Sequence, residues 1–550
     1  MTGQADGNKD AQQLCAEAQE FLRAGNAARA IAAFQAALNL DGSIAGAWLG
    51  LGRALERQNR GREAVGAFER AVRSEPNNWR ALHDYGRALL KTDQTDRAVK
   101  ALTKAVTINP GSEAVWCDLG TAQLITGALE DAEYSLRYSI FLNGKFAIAF
   151  NNLGNCMREQ GRTVEAVRAY NRALAADPDL SSAAAARAST QSDMGNVKDA
   201  LAGLDAFLRE HPSDVDCHQT KSLILMRDSQ LADGFKEYEW RLSPTRTSVP
   251  LRPFTHTRWQ PGLGSGKTVL IWLEQGVGDE ILSLGLLPDF LSDPGLANAK
   301  KILIECDERL ARLIERSFPS VTAVPRDNPP NALAMRADLS CAIWKGGLLY
   351  RTDFGAFPHH NGYLRPDPKR VSDLRERYRA LADGKPVVGL SWSSGGVRGR
   401  AKTPPLDAWK PLLMRQDLQF VSVQYAAAGS DIDFLSAMAA NPLYVDKDID
   451  QAMDLDQTAA QLSALSATVT VSNTIAHIAG AVGAPVATVV PKGYGGFWYW
   501  FRDRKDSPWY PSMRLCRQSS PADWPSAMDN AASWIDSSPW LTNPLPSSEA

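Results

Sequence analysis

A repeat of 34 residues recurs seven times, without insertion, between residues 11 and 248. In each unit a small residue is followed four positions later by a large apolar residue. The small residues are Ala30, Ala64, Ala98, Ala132, Ala166, Ala200 and Gly234, and the large ones are Phe34, Phe68, Leu102, Leu136, Tyr170, Leu204 and Tyr238. A fixed period of this length predicts helical hairpins that form a solenoid, because one unit cannot bury its apolar face alone.

Two further positions of the repeat agree with helical hairpins. A second small position is occupied by Gly52, Gly86, Gly120 and Gly154, and prolines close several units at Pro76, Pro110, Pro178 and Pro212. Proline is suited to the end of a unit because it cannot continue a helix interior. Together these residues resemble the tetratricopeptide repeat. The resemblance implies a right-handed α-solenoid whose concave groove binds an extended or helical protein segment.

Polar residues recur on the face that the resemblance assigns to the groove. Asp84, Asp118 and Asn152 occupy one position of successive repeats, and Asn151 precedes the last of them. We expect these four side chains to hydrogen-bond the backbone of a bound protein acceptor. The alternative is that they belong to an exposed helix face and are simply solvated.

Composition narrows the range of partners and compartments. Sixty Lys and Arg balance sixty-two Asp and Glu, so no overall charge attracts the chain to nucleic acid or to an anionic membrane. No stretch approaches the roughly 20 apolar residues that span a bilayer, and no signal peptide is recognisable. The seven cysteines are scattered, which favours reduced thiols. We therefore expect a cytoplasmic protein with no nucleic-acid partner and no stable membrane insertion.

Residues 249–268 form a connector that ends in the sequence GSGKT. A phosphate-binding loop would require glycine at position 261, where the chain has Pro261. Such a loop also follows its strand, whereas this sequence precedes one. The GSGKT sequence therefore predicts a turn that leads into the first strand.

Beyond the connector, apolar runs typical of buried strands alternate with helical patterns. Residues 269–365 contain TVLIWL and KILIEC, and residues 385–540 contain PVVGLSW, LQFVSV and TVTVSN, with helical patterns between them. This alternation predicts two Rossmann-like lobes with parallel sheets, and ligands at the carboxyl ends of their strands. The predicted fold class is an α-solenoid followed by an α/β module.

Five sequences in this half carry a second resemblance: EQGVGDEILSLGLLP, VGLSWSSG, VSVQ, SNTIAHIAGAVGAPV and DSPWYPSMRLCRQ. They are similar to the catalytic half of bacterial tetratricopeptide-linked glycosyltransferases related to the lipopolysaccharide heptosyltransferases. The resemblance implies a GT-B enzyme that needs no metal and no cofactor beyond a nucleotide-sugar donor. With the repeats, the chain is similar to flagellin glycosyltransferases of stalked and related bacteria. These modify Ser or Thr with a nonulosonic, pseudaminic-type acid.

The identity of the donor and acceptor rests on that second resemblance alone. It implies flagellin as the protein acceptor and a CMP-linked nonulosonic acid as the donor. A UDP-sugar and ADP-heptose remain open as donors.

A carboxylate after the first strand is the candidate general base. Sugar transfer requires a base that accepts the proton of the acceptor hydroxyl. Gly276 and Gly278 permit a tight turn that leaves Asp279 at the edge of the cleft, and we expect both glycines to contact the donor. The resemblance assigns the catalytic role to Asp279, with Glu280 in reserve. The alternative for Asp279 is a helix N-cap.

The loop after the first strand of the second lobe is one candidate site for the donor phosphate. Ser393 and Ser394 supply hydroxyl and amide donors, and Arg398 and Lys402 follow them. Such groups stabilise a phosphate through charge-assisted hydrogen bonds. A cationic loop of this kind is otherwise simply solvated.

The start of the helix IAHIAGAV is a second candidate phosphate site. Asn473 and Thr474 precede that helix, whose free amides and dipole favour an anion. His477 lies on its first turn and matches the family's histidine, with a hydrogen-bonded core histidine as the alternative. The family usually has aspartate before the threonine, so Asn473 leaves the type of donor open.

Seven aromatic residues are concentrated within residues 497–511. They could stack on a nucleotide base, but aromatics at this density favour a seal between lobes. His359 and His360 have no third ligand at a spacing typical of a metal site. We therefore expect no metal.

The leading interpretation is a protein O-glycosyltransferase whose acceptor is held by the repeats. One alternative is a non-catalytic repeat adaptor with degenerate transferase lobes, which the departure at Asn473 leaves open. Another is a lipopolysaccharide or lipid-linked glycosyltransferase. The absence of a basic, membrane-facing patch in the sequence counts against that alternative.

Overall fold

The computed structural model describes residues 2–244, 252–395 and 399–541. Contacts divide the chain into two compact units, Met1–Thr190 and Gln191–Ala550. The boundary falls inside a helix of the predicted repeat region, residues 11–248, so the last repeats belong to the second unit. No helix in the described part of the chain has both the length and the apolar character needed to cross a bilayer.

The amino-terminal part is a tetratricopeptide solenoid of helical hairpins, as the repeat period predicts. Short turns join the helices of each hairpin, and left-handed glycines occupy several of these turns, among them Gly25 and Gly127. The helices are α1 Thr2–Arg23, α2 Ala27–Leu40, α3 Ala45–Arg57, α4 Gly61–Ser74, α5 Trp79–Lys91, α6 Thr95–Ile108, α7 Glu113–Thr126, α8 Leu129–Leu142, α9 Ala147–Glu159, α10 Thr163–Ala176, α11 Ser181–Asp193, α12 Val197–Glu210, α13 Val215–Arg227 and α14 Leu231–Tyr238.

The recurrent small and large residues are direct packing partners inside each hairpin. A Cβ atom at Gly52 of α3 would lie 2.5 Å from the ring of Phe68 of α4. The same relation holds between Gly154 of α9 and Tyr170 of α10, again at 2.5 Å. Because real Cβ atoms essentially never approach so closely, glycine at these positions is what allows the two helices to cross.

The first sheet of the second unit is parallel, in the order β1-β5-β2-β3-β4. The residues of β2 after its first are all buried, as expected for a strand covered on both faces. The order reverses between β2 and β5, which places a topological switch point there. The elements are β1 Thr257–Arg258, β2 Thr268–Trp272, α15 Val277–Leu284, α16 Leu287–Leu291, α17 Pro294–Ala297, β3 Lys301–Cys306, α18 Ala311–Ser317, β4 Val321–Pro325, β5 Leu339–Ala342 and α19 Lys345–Tyr350.

The second sheet has the order β11-β12-β10-β9-β6-β7-β8, and β11 is antiparallel to β12. Its switch point lies between β6 and β9. The elements are α20 Pro368–Ala382, β6 Val387–Ser391, α21 Gly399–Lys402, α22 Lys410–Leu413, β7 Gln419–Ser422, α23 Gly429–Met438, β8 Tyr444–Val445, α24 Leu455–Ala464, β9 Ala467–Val471, α25 Thr474–Ala481, β10 Val486–Val490, β11 Asp506–Ser507, β12 Tyr510–Arg517 and α26 Trp524–Asp536.

The last repeat shares one hydrophobic core with both sheets. The ring of Phe235 on α14 lies 6.3 Å from that of Trp344 and 5.8 Å from that of Trp498. Tyr238 also packs against Trp344, whereas Trp240 stacks on His218 of α13 at 4.1 Å. The final hairpin is therefore part of the α/β unit's core.

Candidate active site

Two helices that begin at the switch points of the two sheets meet at their amino termini. α15 follows β2, and α25 follows β9. A Cβ atom at Gly278 of α15 would lie 3.1 Å from Cδ2 of His477 and 3.7 Å from Oγ1 of Thr474. Glycine at position 278 therefore permits this approach. We call the half-buried surface beside this junction the crevice; it lies at the carboxyl ends of β2 and β9, where ligands of parallel α/β sheets bind.

Asp279 is the third residue of α15 and borders this crevice. Its carboxylate accepts a hydrogen bond from the backbone N–H of Gly276, the N-cap residue of the helix. Burial raises the pKa of Asp279 to about 6, although the Gly276 amide and the charge of Lys402 act to lower it. Gly276 is thus the N-cap residue, and the N-cap alternative for Asp279 is wrong; Asp279 bonds back to the N-cap amide from the third helical position. With a pKa of about 6, Asp279 is mainly ionised at pH 7 and is basic enough to act as a general base.

Glu280 has a structural role. Its side chain is fully buried, and its Oε2 accepts a hydrogen bond from the backbone N–H of Asp307 at 2.8 Å. It also forms an ion pair with Arg326. These contacts hold the carboxylate within the first sheet's loops, so Glu280 is a poor reserve for Asp279.

His477 is a buried, neutral histidine. Its Nδ1 lies 2.9 Å from the Tyr510 hydroxyl, and its ring stacks on Trp500 at 5.2 Å. Burial, with the nearby charge of Lys402, lowers the pKa of His477 to about 3. The imidazole is therefore held as an uncharged wall of the crevice, which agrees with the core-histidine alternative.

Asn473 caps α25 and ties it to β6. Its Oδ1 accepts hydrogen bonds from the amides of Ile475 and Ala476. Its Nδ2 donates to Oγ of Ser391 at 2.8 Å and to the carbonyl of Ser393 at 3.0 Å. An aspartate has no proton to donate to that carbonyl at neutral pH. Asparagine at position 473, where the family usually has aspartate, thus allows a hydrogen bond to the loop after β6 that aspartate could not donate.

The loop after β6 already uses its backbone amides. Residues 392–395 donate to protein side chains: the first two to Oε1 of Gln424 at 2.9 and 3.0 Å, the third to Thr403 at 3.1 Å and the fourth to Tyr425 at 3.3 Å. The sequence predicted that these amides donate hydrogen bonds to the donor's phosphate, but in the structure they donate to protein side chains instead. The side chains rather than the backbone of this loop can contact a ligand.

The side chains of that loop that the sequence predicted to bind phosphate differ in their burial. Ser393 and Ser394 are half-buried. Lys402 on α21 is 6% exposed, and its Nζ lies 4.6 Å from the centre of the Phe497 ring. Its charge acts on both Asp279 and His477, which places it beside the crevice. Arg398 lies outside the described residues.

Aromatic residues that the sequence did not single out individually complete the crevice wall. Trp500 donates from Nε1 to Oγ of Ser472 at 2.8 Å, and Tyr510 contacts both His477 and Tyr363. Within residues 497–511 every aromatic except the half-buried Phe497 is buried, in agreement with the predicted seal. The sequence shows that aromatic residues cluster within residues 497–511. Their contacts with His477 could not be predicted, because they join segments that are distant in the chain.

The four predicted acceptor residues lie in the first unit, and three of them, Asp84, Asp118 and Asn152, bond to neighbouring repeats. Asp84 pairs with Arg53 at 2.7 Å, and Nε2 of His83 lies 2.7 Å from Asp118. Nδ2 of Asn152 donates to Oγ1 of Thr121 at 2.9 Å. Asn151 donates to Asn152, and its own Oδ1 is buried with no hydrogen-bond partner among the described residues. These side chains form a polar ladder between successive repeats.

A concave cavity of about 760 Å³ lies among the first repeats. Its lining contains more basic than acidic side chains. The cations are Arg23, Arg53, Arg57, Arg87 and Lys91, and the acids are Glu56 and Asp84. This surplus of positive charge favours a segment with acidic side chains.

Three comparisons place the chain among known proteins. A tetratricopeptide repeat model matches residues 15–78 and 53–113, and a second such model matches residues 147–180. The protein FlbA of Caulobacter vibrioides is 30% identical over 407 residues, which cover 71% of this chain and 67% of FlbA.

Solved structures match part of the chain. YrrB, described as a TPR protein with an unusual peptide-binding site, is 25% identical with a TM-score of 0.30, over 33% of this chain and 94% of YrrB. PilF of Pseudomonas aeruginosa is 18% identical with a TM-score of 0.34, over 40% of this chain and 99% of PilF.

Proposed function

The chain belongs to the family of the Caulobacter vibrioides protein FlbA, and we propose that it is a protein O-glycosyltransferase of the GT-B type. It transfers a sugar from a nucleotide-sugar donor to Ser or Thr of a protein acceptor held by the repeats. The resemblance in the carboxyl-terminal half supports this class of enzyme. It also favours flagellin as the acceptor and a CMP-linked nonulosonic acid as the donor.

The observation that carries the proposal is the position and basicity of Asp279. Its carboxylate borders a crevice where two helices from different sheets meet, at the carboxyl ends of β2 and β9. With a pKa of about 6 it is mainly ionised at pH 7. Yet it is far more basic than an exposed aspartate, which suits proton transfer near neutral pH.

In the proposed reaction, Asp279 accepts the proton of the acceptor hydroxyl. The hydroxyl oxygen attacks the anomeric carbon, and the bond between that carbon and the phosphate oxygen breaks. Its electron pair leaves with the nucleotide. Lys402 supplies positive charge beside the crevice, and the amino terminus of α25 at Thr474 supplies a favourable dipole for the departing phosphate. The neutral ring of His477 excludes water from one side.

The first unit supplies the acceptor site in this proposal. Tetratricopeptide solenoids bind extended or helical segments in their concave surface, and the cavity among the first repeats is cationic. We infer that an acidic segment of flagellin docks there. The seven cysteines, all within the described residues, form no disulfide, which supports a cytoplasmic location.

The test is intact-mass analysis of flagellin incubated with the full chain. CMP-, UDP- and ADP-linked sugars are supplied separately. The proposal expects a mass increase of whole sugar residues with one class of donor. The Asp529→Asn variant, in which an exposed acid of α26 is changed, should behave like wild type.

Two outcomes would contradict this assignment. Binding of flagellin without any mass increase would favour a non-catalytic adaptor. Incorporation of sugar into lipopolysaccharide but not flagellin would move the enzyme to a lipid-linked acceptor.

A further inference from the structure

A second cavity, distinct from the crevice at Asp279, lies at the carboxyl ends of β10 and β12. It has a volume of about 490 Å³ and also involves the end of α11, within the second unit. Six of its lining side chains are cations, against two carboxylates. The cations are Arg227, Lys492, Arg502, Lys505, Arg514 and Arg517, and the carboxylates are Asp193 and Asp503.

Backbone carbonyls hold three of the guanidinium groups in place. Arg227 donates to the carbonyl of Gly493 at 2.8 Å and pairs with Asp193. Arg502 donates to the carbonyl of Ser192 at 2.8 Å. Arg517 donates from Nε to the carbonyl of Arg504 at 2.7 Å. Carbonyl partners orient a guanidinium without neutralising it. Arg227 and Arg502 also have a carboxylate partner each, whereas Arg517 has none among the described residues.

The cationic groups outnumber the acids that neutralise them. Arg502 pairs with Asp228 at 3.3 Å. Within residues 2–244, 252–395 and 399–541, neither Lys505 nor Arg514 has a carboxylate at ion-pair distance. The Nζ of Lys492 donates to a backbone carbonyl at 2.6 Å, which again leaves its charge in place. Among the atoms that the structure describes, Nε of Arg227 is buried without a hydrogen-bond partner.

The position and size of the cavity indicate the kind of ligand. Parallel α/β sheets bind ligands at the carboxyl ends of their strands, and a cavity of this volume is typical of small-molecule sites. Arginine forks match the paired oxygens of phosphate. The loop after β10 separates the cavity from the crevice, since Gly495 packs against Ala401, the neighbour of Lys402.

We propose that this cavity binds the phosphate groups of a phosphorylated small molecule. The cations described above contact the phosphate oxygens, and Lys505 and Arg514 provide charge that no carboxylate in the described part of the chain neutralises. The source is either a nucleotide or inorganic phosphate and pyrophosphate. This proposal does not depend on sugar transfer, because binding is measured without an acceptor.

Calorimetry of the full chain with pyrophosphate, CMP and UDP tests the proposal. Replacing both Lys505 and Arg514 by Gln should weaken binding at least tenfold, because each removes a charge-assisted contact. The matched control is Arg312→Gln, an exposed charge on α18, which should leave the affinity unchanged. Tighter binding of a nucleotide than of pyrophosphate would identify the nucleotide as the source, and equal affinities would identify pyrophosphate itself.

Three results would overturn the proposal. Wild type could fail to bind any of these ligands at millimolar concentration. The double variant could bind them as tightly as the control. A Lys402→Gln variant could lose pyrophosphate binding while the double variant keeps it, which would place the phosphate in the crevice.

Discussion

Replacing Asp279 by asparagine should stabilise the second unit at neutral pH. Burial raises the pKa of this carboxyl group from 3.8 to about 6, after the opposing effects of Gly276 and Lys402. One pKa unit corresponds to about 1.4 kcal/mol. Ionised Asp279 therefore lowers the free energy of unfolding by at most about 3 kcal/mol. Asparagine removes that cost and keeps an oxygen that can accept the Gly276 amide.

The pH range of this effect follows from the direction of the pKa shift. The folded state holds the Asp279 proton more tightly than the unfolded chain does. Stability from this group is therefore present at low pH and is lost as pH rises from about 4 to about 6. Asparagine does not titrate. The variant and wild type should have similar stability below pH 4, and the variant should be the more stable above pH 6.

Thermal unfolding of the full chain from pH 4 to pH 8 measures this difference. We expect the transition of the second unit to rise by several degrees at pH 8, since 1 kcal/mol shifts a large domain by about 2–4 °C. The control is Asp529→Asn, which changes an exposed side chain of α26 and should leave the transition temperature unchanged. An equal or lower transition temperature for Asp279→Asn at pH 8 would refute the argument from burial.

Three other changes give independent checks. Gly278→Val should sharply lower sugar transfer while the repeats still bind the acceptor, because its side chain pushes α15 away from His477; unchanged transfer would show that the contact is not needed. Replacing Arg53 and Arg87 together by Gln should weaken binding of an acidic flagellin segment several-fold in a fluorescence-anisotropy titration, and unaltered affinity would remove the cationic groove as the acceptor site. Asn473→Asp should cost about 1–3 kcal/mol of stability, measured by chemical denaturation, because the half-buried carbonyl of Ser393 loses its donor; an equally stable variant would contradict the assigned hydrogen bond.

The repeat region was predictable because its contacts are local. The pairs Gly52 with Phe68 and Gly154 with Tyr170 lie within single hairpins, so a period in the sequence reports them directly. The period does not reveal where one compact unit ends. That boundary depends on Phe235 packing against Trp344 and Trp498, which lie far along the chain.

The candidate site was predictable only in part. The strand-to-helix turn at Asp279 and the helix start at Thr474 could be located from local patterns, because both follow buried strands. Their meeting could not, since the approach of Gly278 to His477 joins two different sheets. The burial of Lys402 and the capping role of Asn473 also depend on nonlocal contacts.

The most direct test of the central claim is the rate of sugar transfer by the Asp279→Asn variant. Single-turnover rates are measured between pH 5 and pH 8 for wild type, for this variant and for Asp529→Asn, with nucleotide affinity determined in parallel. We predict a loss of about 100- to 10,000-fold for Asp279→Asn at unchanged nucleotide affinity. The wild-type rate should fall about tenfold per pH unit at pH values below the pKa of Asp279, which is about 6. A variant that transfers sugar within a few-fold of wild type would contradict the assignment of Asp279 as the general base.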